Sequence, residues 1–353
     1  MSRFKNWVRP HLLSLKPYSS ARDEYSGKDG IFLDANENAF GSAGGNNWNR
    51  YPDPYQQELK HKIGQLKGIS PNQLFLGNGS DEPIDLLIRA FCTPGVDRIG
   101  TFAPTYGMYS VSAHIHEIEV VEFPLDSNFQ FDPNKISSDQ LSGIKLFFIC
   151  SPNNPSGNLL SRSAIFHLLE ILDCMVIIDE AYIDFCRDQT FADELNNYEN
   201  LIILQTFSKA WGMAGFRLGM AFGHPEVISL LNKIKAPYNL NGPIQELALT
   251  ALEQSDRVDE WIAEIKQERI HLEIQLEGMS IVEKVYPSDA NFLLVRFQNS
   301  SKVFQFLLSR QIIVRDRSNV PGCQNCLRLT VGKPDENQQL LSTLEEYIKS
   351  EKA

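Results

Sequence analysis

Nowhere in its 353 residues does the chain carry an apolar run approaching the roughly 18 residues that a membrane-crossing helix needs. It also lacks an excess of positive charge, since 33 Lys and Arg stand against 44 Asp and Glu and leave a net charge of −11. Affinity for nucleic acid comes from clustered cations that release counterions from phosphates, so this balance argues against such a partner while leaving isolated anion pockets open. From Met1 to Tyr25, basic, aromatic and proline residues alternate without a continuous apolar segment, so the stretch reads as part of the fold rather than as a signal peptide or anchor. No repeat, low-complexity tract or long flexible linker interrupts the chain. Cysteines are few and scattered, at 92, 150, 174, 186, 323 and 326, which is the usage of a reducing cytosol and implies a cytoplasmic protein. Only Cys323-Gln-Asn-Cys326 has metal-like spacing, and no second pair or nearby histidine completes a four-ligand zinc site, so the pair reads as a surface turn.

What is present suits a soluble chain of two closely packed domains: hydrophobic residues make up 42% and charged residues 22%. Short apolar runs that end in polar or Gly/Pro clusters alternate with helical patterns at Gln73–Leu76, Lys145–Cys150, Met175–Ile178, Leu201–Leu204 and Phe216–Phe222. Such alternation predicts a mostly parallel α/β sheet. Past Pro225 the pattern becomes helical, and Asp256–Gly278 places Val258, Trp261, Ile262 and Ile265 on one face as core residues. The C-terminal part reads as strand (Asn291–Phe297), helix (Lys302–Gln311), short strand (Ile312–Arg315), strand (Leu327–Val331) and helix (Asp335–Lys349). The expected organisation is a large domain over 44–244 and a smaller α/β domain formed by 1–43 together with 245–353.

Ligands of open α/β sheets bind beyond the carboxyl ends of the parallel strands, so the loop after each strand is where chemistry is sought. Gly77-Asn78-Gly79-Ser80-Asp81-Glu82-Pro83 is a glycine turn feeding a helix, with Ser80 or Asp81 suited to capping and free N–H groups suited to a phosphate. Glu82 stands where a dinucleotide fingerprint wants its third glycine, which counts against a nicotinamide-dependent oxidoreductase. Ser151-Pro-Asn-Asn-Pro-Ser-Gly157 and Asp179-Glu-Ala-Tyr182 follow two further strands. After Leu201–Leu204, the stretch from Thr206 to Gly219 gathers Thr206, Ser208, Lys209 and Arg217, and the apolar flanks Phe207, Ala210 and Trp211 suit a partly desolvated, nucleophilic amine at Lys209.

Pyridoxal phosphate requires an amine for its Schiff base, a carboxylate for its ring nitrogen, donors to its phenolate oxygen, an aromatic over the ring and a cradle for a dianionic phosphate. The chain offers Lys209, Asp179, Asn154 with Tyr182, Tyr106, and the Ser80/Asp81 backbone with Thr206, Ser208 and Arg217.

These residues, in the order Gly79-Ser-Asp, Pro104-Thr-Tyr, Asn153-Asn-Pro-Ser-Gly, Asp179-Glu-Ala-Tyr and Ser208-Lys through Arg217, resemble the fold-type I pyridoxal-phosphate enzymes, whose architecture is that of aspartate aminotransferase. Leu33-Asp-Ala-Asn-Glu-Asn38, Asn49-Arg-Tyr-Pro-Asp-Pro54, Thr105-Tyr-Gly-Met-Tyr109, Ala236-Pro-Tyr-Asn239 and Leu327-Arg-Leu-Thr-Val-Gly332 look like the histidinol-phosphate aminotransferase family, and the likeness spans essentially the whole chain. The resemblance implies that Lys209 is the Schiff-base lysine and proton shuttle. By the same likeness Asp179 is the ring-nitrogen partner, Tyr182 and Asn154 are the phenolate ligands, and Tyr106 is the stacking ring. Thr206, Ser208 and Arg217 match the phosphate contacts. A homodimer is implied, in which Tyr51 reaches the neighbouring subunit's cofactor phosphate. Arg315 and Arg328 resemble the family's substrate-anion arginines, with Tyr18 and Asn36 nearby, for a site that accepts histidinol phosphate and glutamate or 2-oxoglutarate in turn. Phe40 follows Ala39 where the family commonly has Pro before Phe or Tyr, a departure that concerns loop rigidity. The nearest alternatives are a threonine-phosphate decarboxylase or an aromatic aminotransferase, which would keep the cofactor set and differ at the anion arginines.

Overall fold

The computed structural model of the chain describes residues 4–19, 30–45 and 48–352. Its larger sheet joins β1 (Leu74–Asn78), β2 (Arg98–Ala103), β3 (Glu119–Pro124), β4 (Ile144–Cys150), β5 (Met175–Asp179), β6 (Leu201–Thr206) and β7 (Leu218–Gly223) in the order β1-β7-β6-β5-β4-β2-β3. Only β7 runs against its neighbours.

The central strands are apolar at almost every position because helices cover both faces. Successive side chains point to opposite faces, and two cores result. Phe147, Ile149, Val176, Ile178, Leu201 and Ile203 pack on one side against Leu59 and Ile63 of the helix Gln57–Lys67 and Ile165 and Leu168 of the helix Arg162–Ile171. Leu146, Phe148, Met175, Ile177, Ile202 and Leu204 pack on the other against Ile84 and Leu87 of the helix Asp81–Phe91 and Leu231 of the helix Pro225–Ile234.

The second sheet is antiparallel, in the order β10-β11-β9-β8, from β8 (Val282–Val285), β9 (Phe292–Phe297), β10 (Arg315–Asp316) and β11 (Cys326–Thr330). Leu293, Val295, Phe297, Leu327 and Leu329 meet Leu307 of the helix Ser300–Ser309 and Leu340 and Leu344 of the helix Pro334–Lys352.

Three expectations require correction. Residues 4–13 do not join the small unit: Phe4, Trp7, Val8 and Leu12 enter the second core of the large sheet, where Phe4 meets Phe91 edge-on at 6.3 Å and Trp7 Nε1 donates to Asp173 Oδ1 at 3.3 Å. The helix Ser255–Glu277 serves both units, with Val258 and Ile262 in a large-sheet core and Leu272 and Leu276 in the small one, so the boundary between cores lies inside this helix rather than near 245. Trp261, read as core, is 37% exposed beneath the Arg257 guanidinium, because the helix buries a face too narrow to include it. The Cys323–Cys326 pair closes a turn as read, with the Cys326 amide donating to Cys323 O at 3.0 Å and Gln324 and Asn325 exposed, while both thiols are buried with Phe129, Tyr286 and Leu294; no metal-binding cluster of His, Cys, Asp or Glu occurs among the described residues.

Candidate active site

A cleft of about 430 Å³ opens beyond the carboxyl ends of β4, β5 and β6 and is closed on its far side by β10 and β11 of the small sheet. Its wall contains Ser80, Asp81, Tyr106, Asn154, Asp179, Tyr182, Thr206, Ser208, Lys209, Arg217, Arg315 and Arg328, so twelve of the sequence-derived positions converge there. A larger cavity of about 860 Å³ holds Asn36 and Tyr51 but no lysine or cradle, so chemistry rather than size marks the site.

Asp179 is the last residue of β5 and is 2% exposed. Burial pushes its carboxyl up to about 6, against hydrogen bonds from the Tyr109 hydroxyl to Oδ2 at 2.6 Å and the Ala181 amide to Oδ1 at 3.0 Å. The carboxylate is thus desolvated yet held by two donors, as a partner for a buried cationic ring nitrogen must be. Tyr109 is completely buried, stacks on Phe148 at 4.8 Å and meets Tyr106 edge-on at 5.6 Å. One turn of sequence therefore places Tyr106 at the cleft and Tyr109 behind it.

Lys209 lies in the turn after β6, with its ammonium 5.5 Å from the centre of the Tyr182 ring. Partial burial, then Arg328 and Arg217, lower its pKa, while Asp179 and Asp81 oppose them. This direction favours the neutral, nucleophilic amine. Asn154 bridges the two sheets: its Oδ1 accepts from Arg328 at 2.6 Å, and its Nδ2 donates to the Tyr182 hydroxyl at 3.3 Å.

The third feature is a cradle at the start of the helix Asp81–Phe91. Ser80 holds the cap position but its side chain bonds no first-turn N–H, which leaves those donors for an anion. Arg217 faces this point, donating to Ser208 Oγ at 3.5 Å and pairing with Asp81 Oδ2 at 3.1 Å, and Thr206 Oγ1 donates to Ser208 Oγ at 2.9 Å. Two glycines permit the close approach: a Cβ on Gly79 would lie 2.6 Å from Arg217 Nη2, and one on Gly219 would overlap the backbone of Gly79 and Ser80. An amine, a buried carboxylate, a phenol and amide pair, an aromatic and a glycine-shaped anion cradle fit pyridoxal phosphate, with Lys209, Asp179, Tyr182 with Asn154, Tyr106, and the Ser80–Ser208–Arg217 cradle as its holders.

Three expected residues lie elsewhere in the chain. Tyr51 stacks on Tyr238 at 4.4 Å, and its amide donates to Glu37 Oε1 at 2.6 Å, both away from this cleft. Asn36 lines the same outer cavity as Tyr51, and Tyr18, 72% exposed, borders a separate groove with Arg9 and Lys233. Tyr109 and Arg317, which line or support the cleft, were not singled out from sequence. Tyr109 carries a detectable signal in its i, i+3 spacing from Tyr106, and Arg317 in its i, i+2 spacing from Arg315.

Residues 25–344 match the family described as aminotransferase class I and II. The chain is 49% identical to a histidinol-phosphate aminotransferase of Parabacteroides distasonis, over 98% of this chain and 99% of that protein. It is 48% identical to one of Cytophaga hutchinsonii, over 96% and 98%. Among solved structures, the histidinol-phosphate aminotransferase of Clostridium acetobutylicum superposes with a TM-score of 0.80 at 27% identity, covering 86% of this chain and 92% of that one. With the site's geometry and this full-length similarity in agreement, the chain belongs to the class I and II aminotransferase family, among its histidinol-phosphate aminotransferases.

Proposed function

We propose that this chain is a pyridoxal-phosphate-dependent transaminase that moves an amino group reversibly between L-histidinol phosphate with 2-oxoglutarate and imidazole acetol phosphate with L-glutamate, a step of histidine biosynthesis. The observation that carries this reading is the convergence of Lys209 and Asp179 with the Arg217 cradle on one wall and the guanidinium groups of Arg315 and Arg328 on the other. Pyridoxal phosphate, when bound, supplies the electron sink for the α-carbon. Lys209 would hold the cofactor through Nζ and, once its amine is free, would hold and move the substrate's α-proton, a role its lowered pKa suits. Asp179 would hold the proton on the ring nitrogen, and Tyr182 and Asn154 would hold the ring's oxygen. Arg315 and Arg328 receive the anionic end of either substrate. A homodimer is part of the reading: Tyr51 and Asn36, remote from their own cleft, would complete the neighbouring subunit's site, with Tyr18 as a further substrate contact. The chain would work in the cytoplasm.

The test is the visible absorption of the purified, cofactor-loaded protein on adding histidinol phosphate and then 2-oxoglutarate. Loss of the cofactor's band with the first addition and its return with the second is expected. A band that ignores histidinol phosphate would overturn the substrate, and no band after supplying pyridoxal phosphate would overturn the cofactor as well.

A further inference from the structure

Two arginines suffice to clamp a carboxylate, yet the small-sheet wall of this cleft, opposite Arg217 and the cradle, carries three. Arg315 and Arg328 are directly opposite residues of the antiparallel β10–β11 pair, which puts both side chains on one face of the sheet. Arg317, two residues beyond Arg315, lines the same cleft. Asp316, between them, instead accepts from the Ser318 amide at 2.8 Å. Arg317 is fixed by its backbone, donating N–H to Cys326 O at 3.0 Å and accepting from Val320 N at 2.9 Å.

Like charges placed opposite one another on a sheet destabilise it, and a third brought beside them adds to the cost. Among the described residues, none of the three is ion-paired to a carboxylate; Arg328 bonds only the neutral amide of Asn154. Arg317 Nε is buried with no hydrogen-bond partner. Burial, then Arg328 and Arg315, lower the pKa of Arg317, a direction that marks an uncompensated cluster. An anion of high charge is what this arrangement lacks.

We propose that Arg317 is a specificity-determining residue that gives the small-sheet wall of the cleft a third guanidinium, so that it ranks a phosphomonoester amine above a dicarboxylate amino acid. The inference rests on the transaminase reading for its substrates. A phosphomonoester carries about −1.5 to −2 charge and three terminal oxygens at neutral pH, whereas a carboxylate carries one charge and two oxygens. Two forks saturate the carboxylate, and the third oxygen of the phosphate is left for Arg317.

The experiment compares wild-type holoenzyme with Arg317→Gln and Arg317→Lys. KM is measured for histidinol phosphate and for glutamate, and inhibition constants for inorganic phosphate and for glutarate. With Gln, the constants for the two phosphates should rise about 10- to 100-fold, the worth of one hydrogen bond to a charged group. The glutamate and glutarate constants should rise several-fold less, so the ratio between classes shifts by about tenfold. Lys, which restores charge without the fork, should fall between. An equal rise for both anion classes, or no rise for either, overturns the proposal. Should wild type fail to turn over histidinol phosphate, the function proposed above falls, while the phosphate-to-glutarate inhibition ratio still decides the role of Arg317.

Discussion

Replacing Tyr109 by Phe removes one oxygen and little else. The phenyl ring retains its stack on Phe148, 4.8 Å away and 13° from parallel, so no cavity opens. What disappears is the 2.6 Å donor to Asp179 Oδ2, leaving the Ala181 amide to donate to that carboxylate at 3.0 Å. A hydrogen bond to a charged group contributes about 1.5–3 kcal/mol, and 1.36 kcal/mol corresponds to one pKa unit. The Asp179 carboxyl, already raised to about 6 by burial, should therefore rise by roughly one to two units more. On the proposed role of Asp179, a more basic carboxylate would draw the proton from the cofactor's ring nitrogen and weaken the charged pair. Cofactor affinity should fall by about 10- to 100-fold. The pH at which the cofactor's visible band changes should move upward, because a neutral ring withdraws fewer electrons from the lysine linkage. Fluorescence titration of the cofactor-free protein and a pH series of absorption spectra measure both quantities. A variant with wild-type affinity and an unmoved spectral transition refutes the idea that Tyr109 tunes Asp179.

Two further outcomes follow from the same geometry. In cofactor-free protein Asp179 binds its proton more tightly folded than unfolded, so its contribution is fully present below pH 4 and is lost as pH rises through about 6. Asp179→Asn should accordingly gain stability over wild type across that window, levelling near 3 kcal/mol above it by the same conversion. Urea unfolding from pH 4 to 8 reads the difference, and a gap that stays constant with pH would count against the burial argument. Gly219→Ala should cost about 1–3 kcal/mol of stability, as overpacking does, and at least tenfold in cofactor affinity, because the added carbon meets the backbone of Gly79 and Ser80. Unaltered affinity would mean that the contact of β1 with β7 does not shape the cradle.

The strands beneath the site were legible because helices on both faces demand apolar residues throughout, as in Val176-Ile-Ile178 and Leu201–Leu204. β2 and β3 escaped notice for opposite reasons. β3 is an edge strand with a single buried position, Phe123, and β2 carries Gly100, where a Cβ would sit 2.6 Å from the Phe147 ring. The start of β7 was read two residues early, since Arg217 adopts a left-handed conformation, φ 54°, that ends the loop before the strand begins. The site itself was legible where function requires polar residues just past apolar strands, as at Asp179 and Lys209. Tyr109 was not, because an aromatic in a helix looks like core, and this one is core except for its oxygen. The Cys323–Cys326 turn was legible from its spacing, whereas the burial of its two thiols was not, because turn spacing says nothing of the small-sheet face that covers them.

Charge shows the same division between what composition can and cannot say. A net charge of −11 bears on the class of macromolecular partner, but five cationic side chains meet two carboxylates in the cleft wall. Asp81 is paired with Arg217 and Asp179 is tied to Tyr109, which leaves the arginines of β10, β11 and the turn after β10 without an anionic partner among the described residues. Their positive field therefore faces the opening, where the anionic substrates enter. Arg328 passes that event inward through one amide, since Asn154 accepts from it and donates to Tyr182. The two ends of an amide are not interchangeable, so Arg328 also orients the donor end of Asn154 toward the Tyr182 hydroxyl. On the proposed roles, the small sheet would consequently do more than hold the substrate's far end: through Arg328 it fixes the Asn154 amide that would align the reacting end.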